Sequence, residues 1–215
     1  MAFVLMLFCA PLLMFGPVVH AQFATPIISG GAGFISTTNN GSTVMQPVIA
    51  PVIAAPFGER WLFEGRVDLR GVIFQPTRSS PYAGQFFDTI EYAQVDYNAA
   101  SWLTIVAGRF LTPFNMYNER FTPIWIRDLQ DAPIIFPIGT RTNGYSDGLM
   151  ARGLVVSRKD YQVTYTTYFS TLSTFERFES GRAAGGRLAI FIPAENLEIG
   201  PSYQKLLQDQ RTNAV

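Results

Sequence analysis

Apolar and polar positions alternate most cleanly along residues 60–74. Trp61, Phe63, Gly65, Val67, Leu69, Gly71 and Ile73 form one uncharged set, while the other carries Glu64, Arg66, Asp68 and Arg70 in succession. Strand side chains alternate between faces with period two, so the pattern predicts a strand with one apolar and one charged face. A helix would scatter the four charges around its circumference. At about 3.3 Å per residue the segment is also long for a soluble strand. A soluble sandwich would bury the apolar face and hydrate the charges. An outer-membrane barrel would put the apolar face in lipid and the charges in its lumen.

The same pattern predicts nine strands: 25–36, 44–54, 60–74, 87–98, 101–111, 147–158, 160–171, 182–192 and 197–207. Pro47 and Pro51 mark 44–54 as weak or as an edge strand, because proline has no N–H for the ladder. In 160–171, Tyr161, Val163, Tyr165, Thr167 and Phe169 share one face, and Gln162, Thr164, Thr166 and Ser170 share the other. No amphipathic helix, phosphate-loop glycine pattern or exact internal repeat is visible. The predicted connections alternate between long (75–86, 112–146, 172–181) and short (98–101, 158–160, 193–196). Outer-membrane barrels alternate in this way, with extracellular loops on one rim and periplasmic turns on the other. That parity sends 60–74 outward, puts the mature N-terminus in the periplasm and ends the last strand at the outer rim on an odd count. Bacterial single-chain barrels close with an even count, and an unpaired final strand would leave backbone groups unsatisfied in lipid. The last residue is Val215, where such barrels typically end in an aromatic. The expectation is an all-β chain, the N-terminal part of an antiparallel transmembrane β-barrel, seen alone as a curved, open sheet of about nine strands.

Composition narrows the choice further. Sixteen basic and sixteen acidic residues balance, so nothing points to nucleic acid or an anionic surface as partner. Mean hydropathy is only slightly positive, at +0.16, which fits alternation and argues against a helical membrane protein. Residues 2–19 are almost wholly apolar, and Val19-His20-Ala21 offers a small-x-small cleavage pattern, so 1–21 reads as a secretory signal peptide. A membrane anchor of marginal length is the alternative, broken by Pro11, Gly16 and Pro17; no Lys or Arg precedes the apolar run. Cleavage after Ala21 would remove the single Cys (Cys9) and the single His (His20). The mature chain would then have no thiolate or imidazole for metal binding, and no Ser-His-Asp or Cys-His catalysis. An oxygen-only Ca²⁺ site and paired-carboxylate chemistry stay open, but no enzyme activity and no cofactor is expected. Residues 22–215 form the barrel part, with a long loop at 112–146.

The stretch Glu91-Tyr92-Ala93-Gln94-Val95-Asp96-Tyr97, followed by Trp102-Leu103-Thr104-Ile105-Val106-Ala107-Gly108-Arg109-Phe110-Leu111-Thr112-Pro113-Phe114, resembles the paired strands and "AGRF-x-x-PF" turn of bacterial outer-membrane porins. It resembles the phosphate-selective porin O and P type. Asn118-Glu119-Arg120, Gly148-Leu149-Met150-Ala151-Arg152-Gly153 and Leu197-Glu198-Ile199-Gly200-Pro201-Ser202-Tyr203-Gln204 fit the same pattern. The resemblance implies a diffusion pore in the outer membrane of a Gram-negative-type bacterium, in contact with lipid and assembled as a homotrimer. Lys is confined to Lys159 and Lys205, so the Lys-rich constriction behind phosphate selectivity is not carried over.

On this reading Glu64, Arg66, Asp68 and Arg70 line the pore, either setting a transverse field or pairing with neighbours as an inert wall. The long loop carries Glu119, Arg120, Arg127, Asp128, Asp131 and Arg141 together with Trp125, Ile134, Ile135 and Phe136. Its apolar content suggests that it folds inward and narrows the pore; capping the rim is the alternative. Trp61, Tyr97, Trp102 and Tyr161 suit interfacial girdles. The expected function is passive diffusion of small hydrophilic solutes or ions. The competing reading is a small plugged barrel with a structural or adhesion role, since about eight strands leave a lumen filled by side chains.

Overall fold

The computed structural model describes residues 25–114, 118, 144–173, 178–207 and 213–214. They form one antiparallel sheet that does not close into a barrel. Eight long strands follow one another as neighbours: β1 (Ile27–Asn39), β2 (Ser42–Phe57), β3 (Trp61–Gln75), β4 (Ala83–Ala100), β5 (Leu103–Leu111), β6 (Tyr145–Ser157), β7 (Gln162–Ser173) and β8 (Phe178–Ile192). β9 (Leu197–Ile199) and β10 (Ser202–Leu206) both pair with β8, and β10 pairs with β11 (Asn213–Ala214). β1 and β11 are the two edges. The all-β, open architecture expected from the alternation is the one observed.

Local chemistry sets the turns. Asn40 and Gly41 both adopt positive φ, 49° and 83°, and join β1 to β2 in the two-residue hairpin those residue types favour. Register then assigns faces. Glu64 stands opposite Gln94, Asp96 opposite Val106, Val106 opposite Met150, and Met150 opposite Tyr168. These residues share the face called inner here, the more buried of the two. Trp61, Tyr97, Ile105, Ala151 and Thr167 follow one another across the other, outer face.

Three expectations need correction. β2 is neither weak nor an edge: it spans 16 residues between β1 and β3. Its ladder to β1 runs unbroken through Pro47 and Pro51, while pairing with β3 lapses at Gln46–Pro47 and Ala50–Pro51 and resumes in the same register. Each proline thus interrupts the ladder on one side only, and the flanking bonds hold the strand in place. The strand expected over 197–207 is split at Gly200-Pro201 into β9 and β10. The alternation of connections is also weaker than expected. β4 starts at Ala83 and β8 at Phe178, so strand extends into two of the supposed long loops.

One irregularity shapes the inner face. Between β3 and β4, Arg66 pairs with Tyr92 but Val67 pairs with Ile90, which leaves Glu91 as an extra residue on β4. Such a bulge turns an additional side chain toward the face it would otherwise avoid. Glu91 accordingly meets Arg66, and both are buried.

Candidate functional site

The four sequence-predicted wall residues lie together on β3, and β4 meets them with three polar side chains that alternation alone did not single out. Arg66 forms an ion pair with Glu91. Arg70 Nη2 donates to Asp68 Oδ2 at 2.7 Å. Gln94 Nε2 donates to Glu64 Oε2 at 3.1 Å and to Asp96 Oδ1 at 2.9 Å. Arg152, on β6, donates from Nη2 to Asp96 Oδ2 at 2.6 Å. A continuous chain therefore runs Glu64–Gln94–Asp96–Arg152 across β3, β4 and β6. Opposite charges in contact cancel much of each other's field at a distance, so most of this wall is neutral in pairs. Glu64 differs: its hydrogen bond is to a neutral amide.

Burial is steep here. Arg66 and Asp68 are each 5% exposed and Asp96 is 2% exposed; the Arg66–Glu91 pair is shielded on both sides, whereas Asp96 is buried against an Arg152 side chain that is 38% exposed. A buried charge is tolerated only when paired and hydrogen-bonded, which explains why the two buried carboxylates of β4, Glu91 and Asp96, each have an arginine.

Two cavities open on this face. One, of about 180 Å³, lies among Glu64, Tyr92, Gln94, Phe110, Met150 and Arg152. The other, of about 440 Å³, is lined by Thr104, Arg152, Thr164, Thr166 and Arg187. Arg152 borders both. Next to them Val106, Phe110, Met150 and Tyr168 make a buried apolar cluster, with the Phe110 and Tyr168 rings edge to face at 6.4 Å.

The base of the long connection is tied down. Thr112 N donates to Gly144 O at 2.9 Å. Asn118 Nδ2 donates to the carbonyls of Thr112 and Gly144, each at 2.9 Å, and the Thr112 and Ser146 hydroxyls meet at 2.9 Å. Glu119, Arg120, Arg127, Asp128, Asp131 and Arg141, expected at a constriction, lie outside the described residues, as does the leader at 1–21.

No protein-family model, curated protein or solved structure matches this chain.

The outer face contrasts with the wall. Ile49, Ile105, Leu149, Phe169 and Leu188 are all exposed on it. Near the turns that join β2 to β3 and β4 to β5, Trp61 stacks on Phe57 at 6.0 Å and lies 4.6 Å from Tyr97. Trp102 and Tyr161 are exposed at the same rim. The outer face also carries an ion pair: Arg109 Nε and Nη2 donate to the two carboxylate oxygens of Asp147 at 2.8 and 3.2 Å. It sits close to the ends of β5 and β6 that flank the 112–144 connection.

Sequence reasoning missed Glu91, Gln94, Asp96 and Arg152. Gln94 and Asp96 alternate with Val95 and Tyr97, so the period-two signal was present. Glu91 needs the bulge, and nothing in the residue pattern announces it.

Proposed function

We propose that this chain forms wall of an outer-membrane porin, a passive path for small hydrophilic solutes or ions. One observation carries the reading: the faces are inverted relative to a soluble protein. Leu149, at 58% exposed, and its apolar neighbours on the outer face would stand in water in a soluble sheet, whereas Asp96, at 2%, and the paired charges are on the sheltered face. Exposed apolar surface of this extent marks contact with something apolar, and in a barrel that is lipid. Strands of 13 to 18 residues, from β1 to β4, exceed the 9–11 that cross a bilayer. The aromatic row Phe57–Trp61–Tyr97 suits the membrane–water boundary. The Arg109–Asp147 pair near the opposite rim suits the depth at which charge costs least. A conducting pore requires both open edges to be paired, by further strands or by another subunit. Outer-membrane localisation, export by the 1–21 leader and a homotrimeric assembly belong to the same reading.

A second reading, a plugged barrel with a structural or adhesion role, is favoured by the inner apolar cluster at Val106, Phe110, Met150 and Tyr168, since a water-filled lumen has polar walls. Liposome swelling separates the two. Proteoliposomes of the full chain should swell in isotonic solutions of small sugars at rates that fall with solute size. Stable insertion with no swelling would support the plug and contradict the pore.

A further inference from the structure

We infer that the 180 Å³ cavity on the inner wall is a binding subsite for a small organic ammonium cation, with Glu64 as its counter-ion. The inference deepens the pore reading by giving the wall a solute-binding step.

Charge balance is the first argument. The inner faces of β3 and β4 carry four described carboxylates: Glu64, Asp68, Glu91 and Asp96. Three have an arginine in contact, through Arg70–Asp68, Arg66–Glu91 and Arg152–Asp96. Glu64 has Gln94, which carries no charge. The group around the cavity, Glu64, Asp96 and Arg152, therefore sums to one negative charge, and a monovalent cation completes it.

Positioning is the second. Asp96 is buried and holds both neighbours: it fixes Arg152 at 2.6 Å and Gln94 at 2.9 Å, and Gln94 in turn fixes Glu64 at 3.1 Å. The Glu64 carboxylate is thus oriented before any ligand arrives, which lowers the ordering cost of binding. Arg152 makes its contact ion pair with Asp96 and attracts Glu64 only from beyond contact distance, so one arginine serves two carboxylates.

Shape is the third. Gly108 stands opposite Gln94, with φ at +121°, and an added Cβ would run into the Ala93 carbonyl. Only glycine fits there, and the strand presents no side chain at that point of the wall. Beside the gap, Phe110, Leu111 and Met150 supply apolar lining and Tyr92 supplies a ring. A bare inorganic cation makes no use of that lining, whereas a short alkyl chain bearing an ammonium group uses both halves. The volume corresponds to several waters at about 30 Å³ each, room for a molecule of a few carbons.

The test uses the full chain in detergent micelles and ligand-observed NMR with n-butylammonium, n-butanol and sodium. n-Butylammonium should bind at least tenfold more tightly than n-butanol, and equimolar sodium should not displace it. Glu64→Gln keeps the shape and should weaken n-butylammonium at least tenfold, while Asp88→Asn, exposed on the outer face, should leave binding unchanged. Equal binding of alcohol and ammonium, full displacement by sodium, or an unaltered Glu64→Gln variant would each overturn the subsite. If Glu64→Gln fails to fold, the comparison of the three ligands on the wild-type chain decides. Conductance of the same preparation in a planar bilayer separates the two levels. Binding without conductance leaves the subsite and overturns the pore; conductance without n-butylammonium binding does the reverse.

Discussion

Glu91 and Glu64 both face the inner wall, yet their substitution should cost different amounts. Glu91 and Arg66 are buried together, and Glu91→Gln removes the carboxylate in contact with a charge shielded from water. Breaking such a pair costs about 3–5 kcal/mol. Glu64 is half-exposed and bonded to an amide, and Glu64→Gln should cost less than about 1.5 kcal/mol, the worth of an ordinary hydrogen bond. Urea unfolding in micelles, followed by tryptophan fluorescence, checks the difference; equal losses would contradict the distinction drawn between the two acids. The sequence alone showed Glu64, Arg66, Asp68 and Arg70 as one charged face, because they alternate without interruption. It did not show which arginine pairs with which acid. That depends on the register between strands and on the bulge at Glu91, neither of which leaves a mark in period-two alternation.

Eight of the nine expected strands exist as continuous elements, and the alternation that revealed them is strongest where one face is apolar, as in β3 and β7. Proline misled at β2, because the rule that excludes it from strand interiors concerns the lost ladder bond and not the packing of the ring. Pro47 lies over Gly71 of β3, where an added Cβ would come within 3.0 Å of the proline Cγ. The two residues form one packing unit, with ring on one strand and absent side chain on the next. Gly71→Val should therefore destabilise the sheet by about 1–3 kcal/mol through overpacking. Combining it with Pro47→Ala should recover most of that loss, giving a coupling that distant sites do not show. Thermal unfolding of the four variants of this cycle measures it, and strictly additive losses would contradict the pairing.

The fold class was legible in the sequence because a single property, which side of each strand is apolar, repeats across the whole sheet. The inversion of that property between the faces is what separates a membrane wall from a soluble layer. Leu149→Arg, in the middle of the outer face of β6, should cost about 2–4 kcal/mol if that face meets the bilayer midplane, and should lower the yield of inserted protein. Thr164→Arg, on the inner face beside Arg152 and Arg187, should be tolerated by comparison. Equal yields for both variants in outer-membrane fractions would argue against a lipid-facing side. The most direct test is single-channel recording from the full chain in a planar bilayer. A porin wall predicts discrete, lasting conductance steps that scale with salt concentration. Protein that inserts stably and passes no current, or that stays soluble without detergent, would contradict it.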